Sequence, residues 1–349
     1  MPLQVVSIDE KETWDQIVYS FKKYDVYYLS GYARTFQING DGEPLLIHFS
    51  DGESRAIQVV MKRDISEVSA FKNIIMPNAL FDLTTPYGYG GFIWEGRPNW
   101  TGLNVAFTKY CLDENVVSEF VRFHPVLETA NGANKMYAVT QRGVTVAIDL
   151  SSPELIWNGF TSENRNMIRK AQKNNILVMH STSEPILKRF QEIYTKTMLR
   201  DNAKEYYYFK NSFYENLSLD LHDNYLIFYA CKEGIIIAAS IIMFANKQMH
   251  YHLSGSLMEY RKYAPTNLLL YEASIWGCEH GYKTFHLGGG IGGKEDSLYR
   301  FKKEFNRYKS SVFCSGQRVY DWVKYQKLIN IEKNDNVIKD MEYFPLYRA

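Results

Sequence analysis

The most conspicuous chemistry-bearing segment is His286-Leu287-Gly288-Gly289-Gly290-Ile291-Gly292-Gly293-Lys294. Gly288, Gly290 and Gly293 have the spacing of a dinucleotide-binding loop, while Gly288, Gly293 and Lys294 have that of a phosphate-binding loop. Neither assignment holds. A phosphate loop needs Ser or Thr after its lysine to reach magnesium, and residue 295 is Glu, whose charge repels phosphate. A dinucleotide fold needs a further β-α-β run with a ribose-binding acid, and the 55 residues after Lys294 offer no such pattern. What the glycines do supply is backbone without Cβ atoms, able to lie close to a ligand or to another chain segment.

Other reactive residues are sparser. His250 and His252 share one face of an expected strand, a spacing that suits a metal pair, but no third ligand sits at a supporting distance and both read as hydrogen-bonded strand residues. No metal is expected. Cys278 and His280 point to different sides of a helix end, which argues against a thiolate–imidazole pair. Arg261-Lys262-Tyr263-Ala264-Pro265-Thr266 lies between a strand and a helix start, where amide N–H groups and the helix dipole attract an anion such as a donor's phosphate. The same segment also reads as a basic loop in which Pro265 and Thr266 serve only to start the helix.

These groups need elements to position them. Leu45–Phe49 and Ala56–Val60 flank Asp51-Gly52, and Tyr225–Tyr229 and Ile235–Ile237 flank Glu233-Gly234, so two hairpins are expected. Further strand pattern follows at Ile241–Phe244 and Met249–Leu253. Thr101 opens a helix to about Glu114 ahead of a strand at Glu119–Phe123; Thr266 opens one ending at Gly281 ahead of Thr284–Leu287. Thr101 to Thr266 and Phe120 to Phe285 share the offset 165, whereas the turns differ by 182, leaving 17 extra residues in the first half, about Ser66 to Leu80. The pattern predicts an internal duplication of a hairpin, helix, strand unit. Asp149-Leu150-Ser151-Ser152-Pro153 has the turn chemistry of a boundary, dividing the chain into 1–150 and 151–349, with the final segment free to pack back on the first domain. After it, Thr161 or Ser162 caps a helix with Met167, Ile168 and Ala171 in an apolar stripe and Arg165, Arg169 and Lys173 along another face. Ser183 caps a second helix, with Ile186, Phe190, Ile193, Tyr194 and Thr197 inward, ending near Arg200.

Composition bounds the function. In 349 residues, 46% are hydrophobic, and 40 Lys+Arg balance 39 Asp+Glu, which describes a globular chain without a global nucleic-acid or membrane footprint. No DNA partner is expected. Cys111, Cys231, Cys278 and Cys314 are too far apart for a CxxC site, and a reducing compartment is the simple reading. Met1–Trp14 carries Asp9, Glu10 and Glu12 and is no signal peptide, and the apolar run Ile235–Ala245 is too short to span a bilayer. A cytoplasmic protein with no transmembrane segment is expected.

Several segments together resemble a known group: Phe160-Thr161-Ser162-Glu163-Asn164-Arg165-Asn166-Met167-Ile168-Arg169-Lys170-Ala171, Tyr194–Arg200, Ala264–Leu269, Phe285–Gly289, Leu298–Lys302 and, in the first half, Asp82–Gly91. In order and spacing they are similar to the Fem-type (FemAB/FemX-like) aminoacyltransferases of the GNAT acyltransferase superfamily. The resemblance implies an α/β (α+β) fold of two tandem GNAT-like domains, each a mixed, mostly antiparallel sheet flanked by helices. It further implies transfer of an aminoacyl or acyl group from an activated donor to an amine of a cell-envelope or glycan precursor. The donor co-substrate would be aminoacyl-tRNA or acyl-CoA, with no tightly bound cofactor. Partners would be an amine-bearing cell-wall or sugar-nucleotide precursor and the acceptor end of a tRNA.

Two departures qualify this. No 40-residue heptad pattern stands in the second half for the helical hairpin common in Fem-type proteins, and Ala264 and Thr266 occupy positions where ordinary GNAT members have glycines for CoA pyrophosphate. On the resemblance, Lys302 would stabilise negative charge at the reacting ester and Asp82 would accept a proton or anchor the amine. Arg200 and Arg34 would hold the acceptor's phosphate; Tyr87, Arg165 and His252 would add acceptor contacts; and Arg261, Ala264 and Thr266 would line the donor site. Two competing readings share the sequence: an acetyl-CoA-dependent N-acetyltransferase of an amino sugar, and a GNAT-like binding module without catalysis.

Overall fold

The structure, a computed structural model, describes residues 2–308, 310–335 and 343–349. Its backbone divides into two units, Met1–Gln141 with Phe313–Ala349, and Arg142–Val312. In chain order the elements are β1 (Leu3–Ser7), α1 (Lys11–Tyr19), α2 (Ser30–Asn39), β2 (Glu43–Ser50), β3 (Ser54–Asp64), β4 (Phe81–Thr84), β5 (Ile93–Gly96), α3 (Trp100–Asp113) and β6 (Val116–Arg122). They continue with β7 (Ala138–Asp149), α4 (Pro153–Gly159), α5 (Ser162–Lys173), β8 (Leu177–Ser181), α6 (Glu184–Arg200), α7 (Asn211–Asp220), β9 (Tyr225–Lys232), β10 (Ile235–Ala245), β11 (Gln248–Ser256), α8 (Pro265–Glu279), β12 (Thr284–Gly288) and α9 (Ser297–Lys303). Then β13 (Ser311–Val319) and α10 (Trp322–Asp335) return to the first unit.

Both hairpins form as their turn chemistry dictates. Asp51 accepts hydrogen bonds from the N–H groups of Glu53 and Ser54, Gly52 takes φ +94°, and β2 and β3 pair antiparallel from Glu43↔Lys62 to Ser50↔Arg55. β9 and β10 repeat this across Glu233-Gly234. The first unit's strands run in the order β1-β2-β3-β4-β6-β13 and the second's in the order β8-β9-β10-β11-β12-β7. In each, one neighbouring pair is parallel, β4 with β6 and β11 with β12, joined by a crossover helix, α3 or α8. The order of elements repeats, and the helices that open at Thr101 and Thr266 occupy equivalent places. The extra residues of the first half lie between β3 and β4, where 65–80 contains two short 3-10 turns; only Asn246 and Lys247 separate β10 from β11. The chain is therefore a mixed α/β protein of two units that repeat one order of elements, and the first sheet is closed by β13, from sequence beyond the second unit.

Apolar faces of the predicted helices pack largely as the periodicity requires. Phe190, Ile193, Tyr194 and Thr197 of α6 are buried, as are Ile168 and Ala171 of α5, but Ile186 is only half-buried, with Leu187 buried in its place, and Met167 is exposed. Thr161 caps α5 through the N–H of Asn164, whereas the Ser183 side chain makes no cap bond to α6 and meets Ser181 instead. Phe160, Ile242, Leu269, Phe285 and Leu287 lie in the second core; Ile47, Val60, Leu83, Phe107 and Val121 lie in the first. All four cysteines are free thiols. No described helix is long and apolar enough to cross a membrane.

Candidate functional site

In the second unit the parallel pair opens. β11 and β12 match only over Gln248↔Thr284, Met249↔Phe285 and His250↔His286. β12 then pairs on its other side with β7, while β11 runs on to Ser256. Opposite β10, a register shift between Ile241↔Leu253 and Ile242↔Tyr251 makes His252 the extra residue of a bulge. Ligands of α/β sheets bind at such carboxyl ends, where neighbouring strands part.

The glycine run follows the end of β12, and the structure shows what its missing Cβ atoms allow. A Cβ on Gly289 would lie 2.7 Å from the Val144 carbonyl oxygen, and one on Gly143 would collide with the carbonyl of Gly293, so the loop packs directly against β7. This fold of the loop places Lys302 of α9 with its Nζ donating to the Gly289 carbonyl at 2.7 Å. Lys302 is only 8% exposed. Burial lowers its pKa to about 8, against the opposing pull of Asp296. Asp296 in turn caps α9 by accepting from Tyr299 N and accepts from Ile291 N, which fixes the loop on both sides.

The expected donor residues gather at the start of α8. Ala264 takes the left-handed conformation, φ 54° and ψ 45°, and as N-cap has no side chain to satisfy the first-turn N–H groups. Thr266 follows in that turn; Arg261 is exposed and rests its guanidinium 3.8 Å from Met258 Sδ. Asn267 reaches across to α5, donating to Asn164 Oδ1 at 2.9 Å, which brings the N-termini of α5 and α8 together.

Arg200 stands at the last turn of α6. A Cβ on Gly255 would lie 2.9 Å from the Ile193 and Tyr194 backbone, so α6 can approach β11 this closely only at a glycine. Thr197 Oγ1 accepts from Ser256 N, and Arg200 donates to the Ser256 carbonyl at 2.9 Å and to both oxygens of Asp201. Beside them is a cleft of about 310 Å³ lined by Lys196, Arg200, Ser256, Leu257, Met258 and Glu259.

The other expected site residues lie elsewhere in the fold. Asp82 is buried with Arg63 Nε 2.7 Å from one oxygen and Arg348 Nε 2.6 Å from the other, and Tyr347 also donates to it. Both of its oxygens are thus held by guanidinium groups within the first unit. Arg165 donates to the Phe160 and Trp157 carbonyls at the end of α4, where its charge complements a helix C-terminus. His252 is pushed down to about 3 by burial, with His250 adding to the shift, and so offers a neutral imidazole at physiological pH. Arg34 lies exposed on α2, bonded to Gln37, and Tyr87 stacks on Phe36 at 5.6 Å with its carbonyl accepting from Tyr32. Both belong to the first unit, as does Asp82.

The first unit's parallel strands do not part in this way. Gly90 donates to the Arg122 carbonyl at 2.7 Å and accepts from His124 N at 3.0 Å, extending the parallel pairing past β4. The start of α3 is satisfied by its own chain: Asn99 accepts from Gly102 N and donates to Asp51. Sequence reasoning did not single out Asn164, Lys196, Glu259 or Asp296. The i, i+4 spacing of Lys196 and Arg200 on α6 was the available signal for one of them.

Residues 162–309, within the second unit, match the acetyltransferase (GNAT) domain family. The fold is similar to that of FemX, whose crystal structure superposes with a TM-score of 0.67 at 16% identity, covering 94% of this chain and 99% of that one. The C-terminal domain of an Agrobacterium fabrum protein named as a lysylphosphatidylglycerol synthetase is similar in fold, with a TM-score of 0.57, 14% identity and coverage of 91% and 94%. So is a conserved protein of unknown function from Bacteroides thetaiotaomicron, with a TM-score of 0.57, 8% identity and coverage of 91% and 100%. A search of curated proteins by sequence finds no significant match.

Proposed function

We propose that the protein is an N-acyltransferase that moves an aminoacyl or acyl group from an activated donor to an amine of a cell-envelope or glycan precursor, with the donor bound in the second unit. The observation that carries this reading is a buried lysine at the carboxyl end of β12, beside the stretch of β11 that has parted from it. The match of that unit to an acetyltransferase domain family and the FemX-like fold support it.

The chemistry needs little beyond positioning and charge. The neutral amine attacks the donor's carbonyl carbon, the N–C bond forms, and the C–O or C–S bond to the leaving group breaks as that group takes the amine's proton. Negative charge develops on the carbonyl oxygen, and the Lys302 ammonium is the proposed partner for it. A cation in a nearly dry site is worth more to an oxyanion than one in water. The uncapped start of α8, with Thr266 in its first turn and Arg261 nearby, would meet the donor's phosphates. Arg200 would meet the acceptor's phosphate.

The second reading keeps the fold and takes acetyl-CoA as donor to an amino sugar. It is favoured by Ala264, which adopts the positive φ that a glycine would supply before a CoA-binding helix. Mass spectrometry of products after incubation with aminoacyl-tRNA or with acyl-CoA separates the two. Absence of product from every donor, with an acceptor bound, would leave the binding-module reading standing instead.

A further inference from the structure

The cleft at the end of α6 holds more charge than its arginine. Arg200 is held in place, its guanidinium donating to both Asp201 oxygens and to the Ser256 carbonyl. Lys196, one turn earlier on the same helix face, and Glu259, in the 3-10 turn that follows β11, also line the cleft. Both are exposed, and among the described residues neither makes an ion pair or a hydrogen bond. An ammonium from α6 and a carboxylate from the turn after β11 thus stand open in one cleft, with Leu257 and Met258 as its apolar lining.

We infer that this cleft is a subsite for a short zwitterionic group, one carrying a primary ammonium and a phosphate or carboxylate a few ångströms apart, with Glu259 taking the ammonium and Lys196 the anion. The inference rests on the amine-acceptor reading above and specifies which end of the acceptor this unit recognises. A ligand with phosphate alone leaves Glu259 opposed to it, and one with an amine alone leaves Lys196 opposed. Only a group with both charges satisfies both side chains. At about 310 Å³ the cleft admits one sugar ring or one or two amino-acid residues, not a whole precursor. Glu259 is a positioning residue: it fixes where the amine waits, and the amine loses its proton only on leaving that carboxylate.

The test is equilibrium binding without donor, using glucosamine 6-phosphate, glucose 6-phosphate and glucosamine, with alanyl-alanine and its N-acetyl form as the carboxylate pair. The parent should bind glucosamine 6-phosphate, or alanyl-alanine in its series, about tenfold more tightly than the partner lacking the amine, a difference of about 1.4 kcal/mol. E259Q should erase that preference while leaving binding of the amine-free partner within twofold. K196M should weaken both anions and retain the preference. Equal affinities in the parent, a preference surviving in E259Q, or no binding of any probe would each overturn the inference. Because no transfer is measured, the outcome is separable from the proposed function. Discrimination without product from any donor would sink the enzyme reading alone, and product without discrimination would sink this subsite alone.

Discussion

Burying an ammonium is costly, and Lys302 bears that cost with one carbonyl and a neighbouring capped aspartate for company. Its lowered pKa makes two pH predictions. If the charged form stabilises the transition state, turnover should fall as pH rises through about 8, against the gain from deprotonating the acceptor amine, so the rate profile should be a bell. K302M should lower kcat by about 100-fold or more while acceptor affinity stays within twofold; steady-state rates paired with calorimetry decide it. On stability the sign runs the other way. Between about 8 and 10.5 the unfolded chain holds the lysine's proton and the folded chain does not, so the parent should gain stability with rising pH, on the order of 3 kcal/mol, and K302M should not. Urea melts across that range check the slope. Asp82 makes the opposite kind of prediction: D82N should cost about 3 kcal/mol in the first unit by leaving Arg63 and Arg348 without their shared anion, with little effect on kcat in the folded fraction. Aspartate before Tyr-Gly-Tyr-Gly-Gly reads in sequence as a turn or a base, and its two arginine partners are 19 and 266 residues away. No local pattern could have shown that.

At the scale of elements, what could be read from sequence was what local chemistry decides. Asp-Gly and Glu-Gly between apolar runs specify hairpins, Pro265 opens a helix, and Thr161 caps one; all form close to where the residues place them. The strands β7, β8 and β13 left no comparable signal, because pairing with distant neighbours and not local alternation defines them. The bulge at His252 and the early end of the β11–β12 pairing were equally invisible, since register is a property of two strands. Gly255 is the element-scale test. Because α6 lies against β11 with no room for a side chain, G255V should force the helix outward, lower stability by about 2 kcal/mol or more and loosen the Arg200 contact to Ser256. Denaturant unfolding measures the first, and weakened acceptor binding in the folded protein the second. A mutant as stable as the parent would contradict the packing argument.

For the whole molecule, the offset of 165 between halves was legible and the asymmetry between them was not. Both units share one strand order, yet Gly90 closes the parallel pair of the first and Asn99 satisfies its helix start, whereas β11 and β12 part and α8 begins without a side-chain cap. A duplicated fold therefore does not imply a duplicated donor site. Calorimetric titration with the active donor should give one site per chain, and a stoichiometry of two would show that the first unit also binds. The account's central claim is tested most directly by the mass of an amine acceptor after incubation with activated donor, parent beside K302M. It predicts an acceptor heavier by one acyl group with the parent and almost none with the mutant in the same time. Equal product from both proteins would contradict it.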